Sequence, residues 1–414
     1  MTRTIDRFIK IFPWYSGFTG DLLFYIAIDT LFLTLVKSFS PAQIVSIVSI
    51  SKLVCIALQF PILFVIKKIG NTASLRAGAL FLLLSALFIT FGKSYYLVLF
   101  GNVLHDVAGI FKSASVVALE NNLEKIDRRT DFVPVRTAAN TVYSVITMLI
   151  SFVASYMFNL NHYLPMYGCI TTCAIGFLLA MLMKDCTSYN KIPKRDKSKT
   201  RVKVNYSRLV LSVIVLYALF YTVVASGQSE GKLFIQQHLL LDFDVEQTAL
   251  IIGAIVCVSR IVRVASNIAF ARLYGKYQAK MGVALTVMLG FSMACLLFGS
   301  MIPTVIAKIA VMGVGYTVIL FVRDPFKLYA QDIVLDNTPK EQHQTLLTVL
   351  EFGVKIATAG MGLGFAAILV GYPMVVVIAI LFAMSIVEVL IGSFVYREVL
   401  IGKRQSEGAV AEEQ

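Results

Sequence analysis

CTSYNKIPKRDKSKTRVKVNYSR, residues 186–208, is a long polar run in an apolar chain, with eight Lys or Arg against one Asp. It is poor in apolar residues, so it reads as a solvated connection between two larger bodies. Outward from it in both directions the sequence is of another kind. The chain has 414 residues, 58% hydrophobic and 15% charged, with a mean hydropathy of +0.79. Soluble domains stay near 45–50% apolar, so this composition belongs to a membrane protein. The opening MTRTIDRFIK leads straight into apolar sequence without a small-residue cleavage site, so the first apolar segment is expected to stay in the bilayer. The six cysteines have no disulfide or zinc spacing and read as small core residues.

A spanning helix needs about 20 mostly apolar residues. Twelve such segments are expected, near 12–36, 42–66, 75–92, 95–118, 138–159, 163–183, 209–231, 248–270, 281–302, 305–325, 346–369 and 374–396. Six precede the basic run and six follow it. The expected organisation is a six-helix bundle over 1–185, a linker over 186–208, a second six-helix bundle over 209–402 and a tail over 403–414. An even number of spans puts both ends of the chain on one side. About 27 of the 37 Lys and Arg fall on that side, against only Lys37, Lys93 and Lys308 on the other. By the positive-inside rule both termini are cytoplasmic. The net charge of +13 is then a topology signal, and nucleic acid is not an expected partner; the lipid bilayer is.

The two halves echo each other. SFSPAQ (38–43) precedes the second span and DFDVEQ (242–247) the eighth. Both fit a capping box, with Ser40 or Asp244 as N-cap and Gln43 or Gln247 three residues on. Both helices end in a glycine and a basic turn, KKIGN (67–71) and RLYGK (272–276). Phe111–Lys112 matches Phe326–Lys327, and each pair is followed at equal distance by Asn122 or Asn337. In register on matching spans, these pairs point to an internal duplication.

Six plus six spans, the basic central run and the duplication resemble the major facilitator superfamily over nearly the whole chain. Part of its loop signature after the second span is present: Lys68 and Gly70 fit, with Lys67 where the family has Asp and Asn71 where it has a basic residue. Gly275 and Lys276 fit after the eighth span, and DNTPKEQHQTLLTVLEFG (336–353) looks like the approach to the eleventh. His105 stands near the place where the family often carries an arginine. The resemblance implies alternating access by two pseudo-symmetric six-helix bundles around a cavity lined by spans 1, 2, 4, 5, 7, 8, 10 and 11. It also implies a monomer, the family's usual form. Lys68, Gly70, Gly275, Lys276 and Arg323 become candidates for the cytoplasmic gate and loops.

Charges inside the spans mark the candidate site, since a central charge costs about 3 kcal/mol or more and turns to the protein interior. Asp21, Tyr25 and Asp29 follow an i, i+4, i+8 row and would share one ridge of a continuous first helix. Lys52 lies in the second span, His105 and Asp106 in the fourth, Arg260 and Arg263 in the eighth, Arg323 and Asp324 at the end of the tenth. Glu351 and Lys355, one turn apart in the eleventh, would neutralise each other; Lys327 would snorkel; Glu388 in the twelfth reads as structural. Asp21 and Asp29 are candidate proton carriers, and His105 with Asp106 a second titratable pair. Arg260 and Arg263 have forked donors for a carboxylate or phosphate.

No nucleotide-binding loop and no metal or catalytic cluster of histidines is present, so no cofactor is expected and an ion gradient would drive transport. The reading is a secondary active transporter of a small polar or charged organic solute in the plasma membrane, coupled to protons. A sodium-coupled sugar symporter, with Asp21, Asp106 and Lys355 in place, and a drug or lipid exporter remain open beside it. A non-transporting receptor or membrane enzyme is a further alternative, disfavoured by the lack of any catalytic cluster or soluble domain.

Overall fold

Ser40 forms the capping box its sequence announces: its hydroxyl accepts from the Gln43 N–H at 3.3 Å, and its own N–H donates to Gln43 Oε1 at 3.0 Å. In the computed structural model, which describes residues 2–185, 207–339 and 343–412, every regular element is helical. The first six spans comprise α1 (Thr2–Phe18), α2 (Tyr25–Leu31, continued by a π-helical turn Phe32–Val36), α3 (Pro41–Ile69), α4 (Asn71–Phe91), α5 (Tyr95–Glu124), α6 (Phe132–Leu160) and α7 (Leu164–Leu182). After the linker come α8 (Arg208–Asp242), α9 (Val245–Gly299), α10 (Val305–Asp336), α11 (His343–Gly371) and α12 (Met374–Glu412). Among the described residues, 11 helical segments are long and apolar enough to cross a membrane, and Tyr25–Val36 is a shorter apolar one. Phe60, Phe64 and Leu390 stand exposed on these helices, as lipid-facing side chains do. This is an all-α, multi-pass membrane protein.

Two expectations about continuity are corrected. The first span is not one helix: α1 stops at Phe18 and α2 starts at Tyr25. Asp21 therefore does not share a ridge with Tyr25 and Asp29; only the latter two lie on one helix. Conversely, the connection after the eighth span is a kink between two helices, not an open loop. α9 runs through Gly275 and Lys276 and bends at Tyr277, whose φ of −124° and ψ of 18° are the only non-helical pair inside it. Val245–Phe270 and Lys280–Gly299 are its two spanning parts. The matching glycine of the first half does make a turn: Gly70 has φ 82° and caps both α3 and α4. Most of the linker, 186–206, lies outside the described residues, as does Lys340. The helix of α12 continues into the segment expected as a tail.

By contacts the chain forms two units: Met1–Asp196 with Asp244–Cys257, and Lys197–Phe243 with Val258–Gln414. In the first, Phe8, Phe12 and Tyr15 of α1 pack on Leu75 of α4 and Leu119 of α5. Gly253 of the Asp244–Cys257 segment lies against Ser155 of α6, where an added Cβ would meet the serine Cβ at 2.6 Å. Asp185, just past α7, ties helix ends together. It accepts from Asn71 Nδ2 at 2.8 Å and Asn121 Nδ2 at 3.4 Å, and its N–H donates to Thr72 Oγ1 at 2.9 Å. In the second unit the rings of Phe220 (α8) and Phe326 (α10) stack at 3.7 Å, and Ser292 Oγ of α9 donates to the Gly315 carbonyl of α10 at 2.7 Å. Glu388 of α12 is fully buried, and neither carboxylate oxygen has a hydrogen-bond partner.

Candidate functional site

The break in the first span builds the site of the first unit. Ending a helix at membrane depth frees backbone groups that lipid cannot satisfy, at several kcal/mol each. Local and distant side chains meet several of them here. Thr19 Oγ1 donates to the Tyr15 carbonyl at 2.7 Å. Lys112 of α5 directs Nζ at the carbonyls of Thr19 and Ser16, at 3.0 and 3.5 Å. A cation there also suits the negative end of the α1 dipole. Across the gap Asp21 Oδ1 accepts from the Leu22 N–H at 2.8 Å. Gly20 sits where the break presses on α6; an added Cβ would lie 2.3 Å from the Tyr143 ring.

The same oxygen of Asp21 lies 3.0 Å from His105 Nε2 on α5. His105 Nδ1 is 3.6 Å from Asp106 Oδ1, and Ser51 Oγ of α3 donates to Asp106 Oδ2. An imidazole facing two acceptors can donate from both nitrogens only when it carries a second proton. The row Asp21–His105–Asp106 therefore has a place for one exchangeable proton. Its side chains are 27–36% exposed, so protons can reach it. His105, Asp106, Lys112 and Gly20 line a cavity of about 130 Å³. It adjoins a second one of about 280 Å³ at Gly109 and Lys112.

Other candidates are placed elsewhere. Tyr25 is buried on α2, and Asp29 Oδ1 accepts from the Thr30 N–H at 2.6 Å. Lys52 is half-buried on α3, next to Ser51. Lys68 is exposed in the last turn of α3.

In the second unit, charge pairing differs from the sequence expectation. Arg263 grips Asp324 with both Nε (2.7 Å) and Nη2 (3.0 Å), and Asn267 adds a bond to the same carboxylate at 3.3 Å. The fork foreseen for a substrate anion is occupied. Arg323 donates to Gln228 of α8 at 3.3 Å, and Tyr221 donates to the Arg323 carbonyl at 2.6 Å. Glu351 takes Lys327 of α10 at 2.6 Å as its partner, not Lys355 as expected. A neighbouring helix supplies the ammonium. The Lys327 ammonium is therefore held in an ion pair. Arg260 keeps a buried Nε without a hydrogen-bond partner. The duplicated lysines thus do different work: Lys112 caps a broken helix, and Lys327 neutralises a glutamate.

The profile of the Major Facilitator Superfamily matches residues 15–332. The chain belongs to that superfamily. Among curated proteins no sequence matches it. Its fold is similar to that of a variant of the nucleoside transporter NupG, with a TM-score of 0.76 at 11% identity over 94% of this chain and 99% of the other. The POT family transporter PepTSo gives 0.70 at 11% identity over 97% and 99%. A bacterial homologue of the iron transporter ferroportin, in an inward-facing state, gives 0.61 at 14% over 96% and 98%. At these identities the likeness concerns the fold alone.

Within this superfamily member, sequence reasoning missed Ser51, Gln228, Tyr221 and Asp185. Each is an ordinary polar residue until a second helix supplies its partner. Only the position of Ser51, next to Lys52 in an apolar span, hinted at an interior face.

Proposed function

We propose that this chain is a secondary active transporter that moves a small polar or charged organic solute by alternating access and couples it to protons. The observation that carries the reading is the contact of Asp21 with His105 across the broken first span, backed by Asp106. That row links two spans which line the central cavity in the superfamily, so a proton held there and the packing of the break depend on each other. Binding a proton changes which of Asp21 and Asp106 the imidazole must satisfy. In the second unit, Arg260 is the candidate contact for a polar or anionic group of the solute, since Arg263 is already paired. The same reading places both termini in the cytoplasm, the protein in the plasma membrane and a monomer as the working form.

The test uses proteoliposomes containing a trapped pH-sensitive dye. Adding nucleosides, organic acids and sugars one at a time should produce, for one class, a solute-dependent proton flux that survives complete replacement of sodium by potassium. A flux that requires sodium would assign the coupling to that ion. Counterflow of a bound solute with no accompanying movement of either ion would remove the coupling role from the Asp21–His105–Asp106 row.

A further inference from the structure

The larger of the two adjoining cavities has an unusual wall. It lies between α1, α5 and α6 and holds about 280 Å³. Lys112 and Arg136 line it together with Ser16, Ser113 and Asn140, and no carboxylate does. An ammonium has three donors. Two of those of Lys112 are directed at the Ser16 and Thr19 carbonyls, which leaves one for the cavity. The Arg136 guanidinium lies 5.6 Å from the Phe132 ring centroid, and the residue is exposed. Among the described residues no carboxylate oxygen lies within 4.0 Å of either cation, and the Asp21 charge acts on Lys112 from farther off. Two cations in the wall of one concave site attract an anion strongly, because low-dielectric walls focus their field.

From this geometry we infer that the α1–α5–α6 cavity is an anion-binding subsite for a small organic carboxylate or phosphate. Its volume sits just below the range of drug-sized pockets, roughly 300–1,000 Å³, which suits a compact ligand. Lys112 and the serine and asparagine groups would meet the anionic end. Gly109 and Lys112 line both this cavity and the one that holds His105 and Asp106, so the anion's charge would lie close to the proton row. A proton taken up there would offset a negative charge brought in next to it. The inference deepens the transport reading by naming a ligand class.

Binding is tested without transport, on the purified full chain in nanodiscs of phosphatidylcholine. The probes are succinate, benzoate and inorganic phosphate, with glucose as neutral control, and the readout is the thermal midpoint against concentration. At least one anion should stabilise the protein and glucose should not. Arg136→Gln should weaken that binding about tenfold, the loss of one charged hydrogen-bonding partner. Lys112 also supports the helix break, so a second variant avoids it. An added Cβ on Gly109 meets nothing within 4 Å, and Gly109→Leu therefore fills the junction without a clash at Cβ, on a helix that prefers Leu to Gly. It should abolish binding while keeping the midpoint of the unliganded protein. If stabilisation appears only in discs containing phosphatidylglycerol and disappears in both variants, the site stands and its anion is a lipid headgroup. Absence of stabilisation by every soluble anion and by the anionic lipid, or equal binding in wild type and both variants, overturns the inference. An anion that binds here but is never carried refutes transport of that anion and leaves the subsite in place.

Discussion

Lys112 Nζ lies 3.0 Å from the Thr19 carbonyl, so a cation on α5 caps α1 where it breaks off within the expected first span. Helix ends at this depth need partners from elsewhere in the protein, and this contact and the one between Asp21 and His105 are long-range ones at the break. Replacing Lys112 with Met removes the charge and both bonds while keeping much of the apolar stem. A loss of about 1.5–3 kcal/mol is expected, the scale of hydrogen bonds to a charged group. Lys112→Arg should recover part of it. Equal thermal midpoints for wild type and Lys112→Met would show that the break is held by packing alone.

Arg263 and Asp324 should behave as a unit. Their side chains are each 25% exposed, between the buried and surface regimes, so breaking the pair should cost about 1–3 kcal/mol. Arg263→Gln and Asp324→Asn should each destabilise, and the double variant should lose less than the two single losses combined. Strict additivity in this cycle would mean that the pair contributes no coupling.

How much of this was legible in the sequence follows from the range over which each feature acts. Spans, the polar linker and the Ser40 cap depend on neighbours along the chain, and a hydropathy pattern or a four-residue motif displays them. The break at residues 19–24 was hidden because apolar residues flank it on both sides; Gly20 and Asp21 marked the place, but the i, i+4, i+8 row made a continuous helix look plausible. Pairings between helices were the least visible. Spacing offers Glu351 the Lys355 of its own helix, whereas Lys327 reaches it from α10. Sequence spacing leaves Arg263 open to a ligand, because Asp324 stands 61 residues away and only the fold sets it beside Arg263. The repeat predicted equivalent turns, yet Gly70 turns the chain and Gly275 lies within a helix.

Glu388 tests the opposite kind of site. A fully buried carboxyl with both oxygens unpartnered is a standing cost of about 1–3 kcal/mol. Glu388→Met, similar in length and apolar, should raise the thermal midpoint and leave solute counterflow intact. Lost transport with an unchanged fold would instead give α12 a part in the mechanism.

The central claim is that the proton row begun by Asp21 couples the gradient to the solute. Asp21→Asn keeps the shape and an acceptor for the Leu22 N–H and His105, but it cannot carry a charge or titrate. The decisive measurement compares two modes in the same proteoliposomes: uphill accumulation driven by a pH gradient, and solute exchange at equal pH. The account predicts that Asp21→Asn loses accumulation and retains exchange, with a thermal midpoint close to that of the wild type. Accumulation at the wild-type level in Asp21→Asn would contradict it.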